Sequence, residues 1–275
     1  MKQTTGSIKL GVIGIGQMGN ALLQGILSAK LFPPSDILGY DKDNEKNKIA
    51  GKRLGIRTCK ENKEVAKGSD VLLLAVKPQN MTGVLLDISP ALDERALLIS
   101  IAAGFRVRAI LDGLNRKAKV IRAMPNIAVL AAQGASALFS GPGVTQDNEA
   151  IALKIFGTVG KAILVRDESL LDAVTGLSGS GPAYIFLVLE ALSDAGVRMG
   201  LTREMATTLA IQTLLGAAHM AQTTAKSFSE LKDMVTSPGG TTIEGLKKLE
   251  ERRVRAAFME AVEAATIKAK QLSSG

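Results

Sequence analysis

Short apolar runs separated by polar, helix-like stretches fill the first part of the chain. Residues 8–13, 37–40, 71–76, 96–101, 120–123, 135–139 and 162–165 form such runs. The run Val71-Leu72-Leu73-Leu74-Ala75-Val76 has no polar position at all, as expected of a strand covered on both faces in a parallel sheet. Residues 21–27 read as an apolar helical stretch, and 43–53 and 106–114 as more polar helices. This alternation predicts an α/β, doubly wound, Rossmann-type domain over residues 1–166, with its ligand crevice at the carboxyl ends of the strands.

Beyond Arg166 the period changes. No strand pattern recurs, and the chain reads as helices as far as Gln271. Residues 182–192 are apolar almost all round, with Glu190 the single charge, and 201–225 are apolar with many small residues. The last helix carries a stripe at Val254, Phe258, Ala261, Val262, Ala265 and Leu272. Helices with so little polar face are poorly solvated alone. They predict an all-helical domain over 167–275 that packs against a second subunit.

Two glycine-bearing segments carry candidate chemistry. Gly14-Ile15-Gly16-Gln17-Met18-Gly19 lies between the first strand and the first helix, the context in which G-x-G-x-x-G binds a dinucleotide. Gly14 permits the tight turn, Gly16 lets the backbone approach a pyrophosphate, and Gly19 lets helix and strand lie close. The helix N-terminus supplies free amides for the phosphates. The second strand ends in Asp41, twenty-two residues after Gly19, where an acid suits an adenosine ribose. Far along the chain, the segment 231–242 holds Ser237-Pro238-Gly239-Gly240-Thr241-Thr242 between two helical patterns. Pro238 and the glycines cannot continue a helix, and clustered amides and hydroxyls at the start of the next one suit a carboxylate. An ordinary helix cap explains the same residues as well.

Composition narrows the classes. The 275 residues are 46% hydrophobic and 22% charged, which fits a globular protein with room for two cores. With 3% aromatic residues and no Trp, a base-stacking nucleic-acid binder is disfavoured. The net charge of +8 has a basic concentration between residues 46 and 67, read as a solvated helical face. Cys59 is the single cysteine, so no intrachain disulfide forms and a reducing, cytoplasmic setting is expected. No extended apolar region precedes the first glycine turn, which predicts no secretion signal. Residues 123–146 are broken by Pro125 and Pro142, and 205–225 hold five Thr, two Gln and His219, so neither predicts a membrane span. His219, the one histidine, is expected to be packed or at an interface.

Further motifs carry a family resemblance. Thr175-Gly176-Leu177-Ser178-Gly179-Ser180-Gly181-Pro182-Ala183-Tyr184 and the Ser-Pro-Gly-Gly-Thr segment are its most specific parts. Ala75-Val76-Lys77-Pro78-Gln79, Ser100-Ile101-Ala102-Ala103-Gly104 and Arg122-Ala123-Met124-Pro125-Asn126 add to it. From first strand to last helix the chain resembles pyrroline-5-carboxylate reductase. The resemblance implies reduction of 1-pyrroline-5-carboxylate to proline by hydride from NAD(P)H, the last step of proline synthesis. It implies homodimers through interlocked helical domains, gathered in some members into a decamer of five dimers. It also implies cofactor contacts at Ile13, Gly14, Gly16, Gln17, Met18, Gly19, Asp41, Lys42, Asn62, Ala75, Val76, Lys77, Pro78, Ala102 and Ala103. The resemblance further implies substrate contacts at Ser237, Gly240, Thr241 and Thr242, with the Thr242 hydroxyl on the ring nitrogen as the catalytic group.

The residues also have plainer readings: Asn62 as a helix cap, Lys77 as a loop charge, and 178–182 as a close approach with Pro182 opening a helix. Two departures from the family pattern stand out. Asp41 favours a free 2′-hydroxyl, and Lys42 after it suits a phosphate, so both NAD(H) and NADP(H) stay open. Ile127-Ala128 stands where the family has Thr-Pro. Competing readings are a related imine or hydroxyacid oxidoreductase, a non-catalytic nucleotide sensor, and a nucleic-acid or membrane binder. The G-x-x-x-K-x-x-N helix of hydroxyacid dehydrogenases is missing from the sequence, and no basic helix supports the last.

Overall fold

The computed structural model describes residues 7–273. Eight strands form one sheet: β1 (Leu10–Ile13), β2 (Ile37–Tyr40), β3 (Arg57–Thr58), β4 (Val71–Leu74), β5 (Leu97–Ser100), β6 (Lys119–Pro125), β7 (Gly134–Ser140) and β8 (Gly160–Val165). Their spatial order is β3-β2-β1-β4-β5-β6-β7-β8. The chain runs outward from β1 to β3, then returns to place β4 on the other side of β1, both neighbours parallel to it. The winding direction therefore reverses between β1 and β4, and the crevice outside their carboxyl ends is the natural ligand site.

The sheet departs from the sequence reading in two places. β7 runs antiparallel to β6. Only a short 3-10 turn, Ile127–Ala131, joins them, and a parallel return needs a longer crossover. β3 is an unexpected edge strand of two exposed residues, too short and too polar to leave an apolar signature. Elsewhere β6, β7 and β8 extend beyond the apolar runs, and β1, β4 and β5 are shorter than theirs. The apolar run 71–76 stops at Leu74, for instance, and Ala75 and Val76 leave the strand.

Around the sheet lie α1 (Gln17–Ser28), α2 (Asn44–Leu54), α3 (Asn62–Lys67), α4 (Met81–Ile88), α5 (Val107–Leu114), α6 (Gln146–Gly157) and α7 (Leu170–Val174). The period of two along each strand sends alternate side chains to two separate cores. Val12, Leu73, Ile99 and Ile121 meet Leu22, Leu23 and Ile26 of α1 and Phe156 of α6. Ile13, Leu72, Leu74, Leu98 and Val120 meet Val65 of α3, Leu85 of α4 and Ile110 of α5. Burial on both faces is what made the strands read as unbroken apolar runs. Cys59 lies in the second core, and burial raises its thiol above the ordinary value.

Five helices follow: α8 (Gly181–Arg198), α9 (Arg203–Thr223), α10 (Phe228–Met234), α11 (Thr241–Glu251) and α12 (Val254–Ser273). The described residues divide into two compact units. One holds residues as far as Gly179 with those from Ala264 onward; the other is Ser180–Glu263. The expected break at 166 is thus shifted, because α7 and the π-helical turn Thr175–Gly179 pack onto β7 and β6. In the second unit α8 and α9 form a hairpin, with Gly196 close against Ala206. Its buried polar point is Ser193, bonded to the Thr207 hydroxyl at 2.9 Å and to Arg203 at 3.0 Å. Many apolar side chains of this unit are exposed in the single chain, among them Phe186, Leu187, Leu209, Leu215 and Met259. His219 is exposed on α9. No helix among the described residues is long and apolar enough to cross a membrane.

Candidate active site

A cleft of about 770 Å³ opens where the winding reverses. Its floor is the carboxyl end of β1 and β4. Gly14 leaves β1 with φ +95°, and its amide donates to the Tyr40 carbonyl at 2.8 Å. A Cβ at Gly14 would lie 2.6 Å from the Ala75 carbonyl oxygen, so position 14 needs glycine for both dihedral and space. Gly16 is different. It is the N-cap of α1, has an ordinary extended backbone, and a Cβ there would meet nothing within 4 Å. That open space faces an uncapped helix start, the arrangement that admits a phosphate group.

Several polar side chains converge on this space. Ile13, Gly14, Gly16, Asp41, Lys42, Asn62, Ala75, Val76 and Lys77 line it, all of them expected from the sequence. Gln17, Met18 and Gly19 form the first turn of α1, and Pro78 opens the short 3-10 turn after Lys77. Ala102, buried, and Ala103, exposed, sit in the loop after β5, the next strand along the sheet. Asn62 is the first residue of α3, whose cap is Glu61, so the capping reading does not hold. Its amide donates instead to Asp87 of α4 at 3.0 Å.

Sequence reasoning missed Tyr40, Lys46, Gln79, Asn80, Gly83, Val84 and Asp87 in the lining. Its sequence neighbourhood places Lys46 on a solvated basic face, but its ammonium lies 3.7 Å from the Asp41 carboxylate. The signal available is its place in the first turn of α2, which starts three residues after Asp41.

The loop after β5 is braced from below. Glu168 accepts from the Val107 amide at 2.8 Å and pairs with buried Arg122 at 3.2 Å. Arg106 pairs with buried Asp172 at 3.5 Å, and the Ser273 hydroxyl donates to the same carboxylate at 3.0 Å. Asn126 joins the end of β6 to the π-helical turn, donating to the Ser178 carbonyl at 3.0 Å and accepting from the Ala135 amide at 3.1 Å. Single π turns inserted in helical segments recur at functional sites.

In the helical unit the segment 231–242 is only partly irregular. Residues as far as Met234 belong to α10, whose capping box joins Ser227 and Glu230. The bend proper runs over 235–240, with Gly239 at φ +66° and the Gly240 amide bonded to the Ser237 carbonyl at 3.1 Å. Gly240 is the N-cap of α11, and no side chain caps that helix. Ser237 and Thr241 are exposed; Gly240 and Thr242 are half-buried. The first turn of an eleven-residue helix thus presents backbone amides beside three hydroxyls.

Known proteins match along the whole chain. Residues 168–272 match the family described as pyrroline-5-carboxylate reductase dimerisation, and 9–104 the family described as NADP oxidoreductase coenzyme F420-dependent. A pyrroline-5-carboxylate reductase of Methanosarcina acetivorans is 47% identical over 264 residues, 96% of this chain and 97% of that protein. The chain belongs to the pyrroline-5-carboxylate reductase family. The family member from Coxiella burnetii has a solved structure with TM-score 0.94 and 37% identity, covering 98% of this chain and 99% of that one. The Plasmodium falciparum member, solved with NADP bound, has TM-score 0.85 and 34% identity over 97% of this chain and 98% of its own.

Proposed function

We propose that the chain reduces 1-pyrroline-5-carboxylate to proline with a reduced nicotinamide nucleotide, NADH or NADPH, as the last step of proline synthesis. The observation that carries this reading is its match to pyrroline-5-carboxylate reductases over 96% of its length, with a cleft at the winding reversal that suits the nucleotide. When bound, the nucleotide supplies a hydride. Gly14, Gly16 and the start of α1, with Gln17, Met18 and Gly19, hold the pyrophosphate. Asp41, Lys42 and Asn62 hold the adenosine end, and Ile13, Ala75, Val76, Lys77, Pro78, Ala102 and Ala103 hold the nicotinamide end.

For the substrate, uncapped amides at the start of α11, with Ser237, Gly240 and Thr241, hold the carboxylate. The Thr242 hydroxyl bonds the ring nitrogen and accommodates its change from imine to amine, because a hydroxyl both donates and accepts. Most of the rate gain comes from alignment of the two reactants.

The protein works as a homo-oligomer. Dimers form through the helices of residues 168–272, supported by their exposed apolar side chains and the dimerisation family match. Five dimers closing into a decamer is our finer proposal, and the lone Cys59 suits work in the cytoplasm. The test is direct. Purified protein oxidises NADH or NADPH when 1-pyrroline-5-carboxylate is added, and proline accumulates in equal amount. Oxidation without proline, or none with either nucleotide, refutes the proposal.

A further inference from the structure

We infer that the adenosine end of the cleft is built for a ribose with a free 2′-hydroxyl, so that NADH binds in preference to NADPH, and that Asn47 sets this preference together with Asp41 while Lys46 tempers it. The inference rests on the reading that the cleft holds a nicotinamide dinucleotide.

Asp41 follows β2 directly and is 8% exposed. Its backbone is held on both sides by one buried side chain: the Asp41 amide donates to Asn47 Oδ1 at 2.7 Å, and Asn47 Nδ2 donates to the Asp41 carbonyl at 2.7 Å. Its carboxylate is fixed as well. Oδ2 accepts from the Ile15 amide at 2.8 Å, inside the glycine turn, and Oδ1 accepts from the Asp43 amide at 3.0 Å. Turning this side chain away would strip two backbone amides of their acceptor in a largely buried place. The carboxylate therefore stays where it is when a coenzyme arrives.

A fixed carboxylate treats the two coenzymes differently. Each of its oxygens keeps a second acceptor site, so sugar hydroxyls can donate to it with no rearrangement. A 2′-phosphate has no proton to give at neutral pH and meets a like charge instead. The amides of Ile15 and Asp43, which could have served a phosphate, are already taken. Lys46 is drawn to Asp41 at 3.7 Å and to Asp43 at 3.9 Å, so its charge is partly spent on carboxylates. Lys42 also lines the cleft, but it is exposed, where attraction is screened by salt. Asn47 is a positioning residue: it is not among the residues that line the cleft and acts by fixing Asp41.

The experiment is a binding titration of the full-length protein without imine, using NADH, NADPH, ADP-ribose and 2′-phospho-ADP-ribose. The wild type is expected to bind the forms without the phosphate on the order of tenfold more tightly or better. Asp41→Ser, which frees both amides, moves the ratio toward the phosphorylated forms, and the isosteric Asp41→Asn moves it in the same direction while keeping the side chain's shape. Lys46→Gln deepens the discrimination against NADPH. Asn47→Ala narrows the ratio, a change that general loss of stability does not produce because it weakens both ligands alike. Equal or tighter binding of NADPH by the wild type overturns the inference, as does a ratio that neither Asp41 variant moves. Both results leave the reductase reading standing. Binding of none of the four ligands sinks that reading as well.

Discussion

Gly14→Ala and Gly16→Ala are the same chemical change two residues apart, and the structure assigns them opposite consequences. At Gly14 the φ of +95° is disfavoured for any L side chain by about 1–2 kcal/mol. The added Cβ would also lie 2.6 Å from the Ala75 carbonyl oxygen, a backbone atom that cannot swing aside. Overpacking of that kind costs about 1–3 kcal/mol more. The expected loss of stability for Gly14→Ala is therefore about 2–5 kcal/mol. At Gly16 the backbone is extended, with φ −72° and ψ −168°, and no atom lies within 4 Å of the new methyl. Folding stability should change by no more than about 1 kcal/mol, and can rise because the unfolded chain loses freedom. The methyl instead fills the space proposed for the pyrophosphate. Loss of one charge-assisted hydrogen bond is worth about 1.5–3 kcal/mol, or roughly ten- to hundredfold in nucleotide Kd. Denaturant unfolding at fixed protein concentration and fluorescence titration with NADH and NADPH measure the two quantities separately. A Gly14→Ala protein as stable as wild type, or a Gly16→Ala protein that binds both nucleotides unimpaired, refutes the reasoning.

Three further outcomes are expected. Thr242→Ala should lower kcat roughly ten- to hundredfold while leaving nucleotide affinity nearly unchanged, and Thr242→Ser should restore most of the rate; equal loss of rate and nucleotide binding would make the hydroxyl structural. In the α10 capping box, the Ser227 backbone amide and then its hydroxyl hold the Glu230 carboxyl below the ordinary glutamate value. Its contribution to stability is then present above the unfolded-state value and lost as pH falls through the lower folded-state value, so Glu230→Gln should differ most from wild type near neutrality and converge with it in acid, read from denaturation midpoints across pH. Leu215→Glu, on an exposed apolar part of α9, should shift light-scattering mass toward monomer, since burying such a side chain yields about 1.5–3 kcal/mol and a two-fold interface counts it twice.

The sequence carried the parts of this protein that follow local rules. Strands β1, β4 and β5 are legible because both faces are buried, which leaves buried Ser100 as the one polar position in the three. Gly14 and Asp41 are legible because the turn and the acid have fixed places relative to two strands. The reversed β7 was legible in principle, since the link after Pro125 is too short for a crossover. Asn47 was not: a polar residue on a charged helix reads as solvated, and only the folded chain brings it to Asp41. The shift of the domain edge to Gly179 has the same origin, because the packing of α7 on the sheet is a tertiary event with no periodic signature.

The central claim is that hydride passes from a reduced nicotinamide to the imine carbon of 1-pyrroline-5-carboxylate on this protein. Supplying nucleotide deuterated at both positions of nicotinamide C4 and weighing the proline formed tests it most directly. The account predicts one deuterium per proline, on the ring carbon beside nitrogen that does not bear the carboxylate, formed in step with nucleotide oxidation. Unlabelled proline, or nucleotide oxidised with no proline formed, would contradict it.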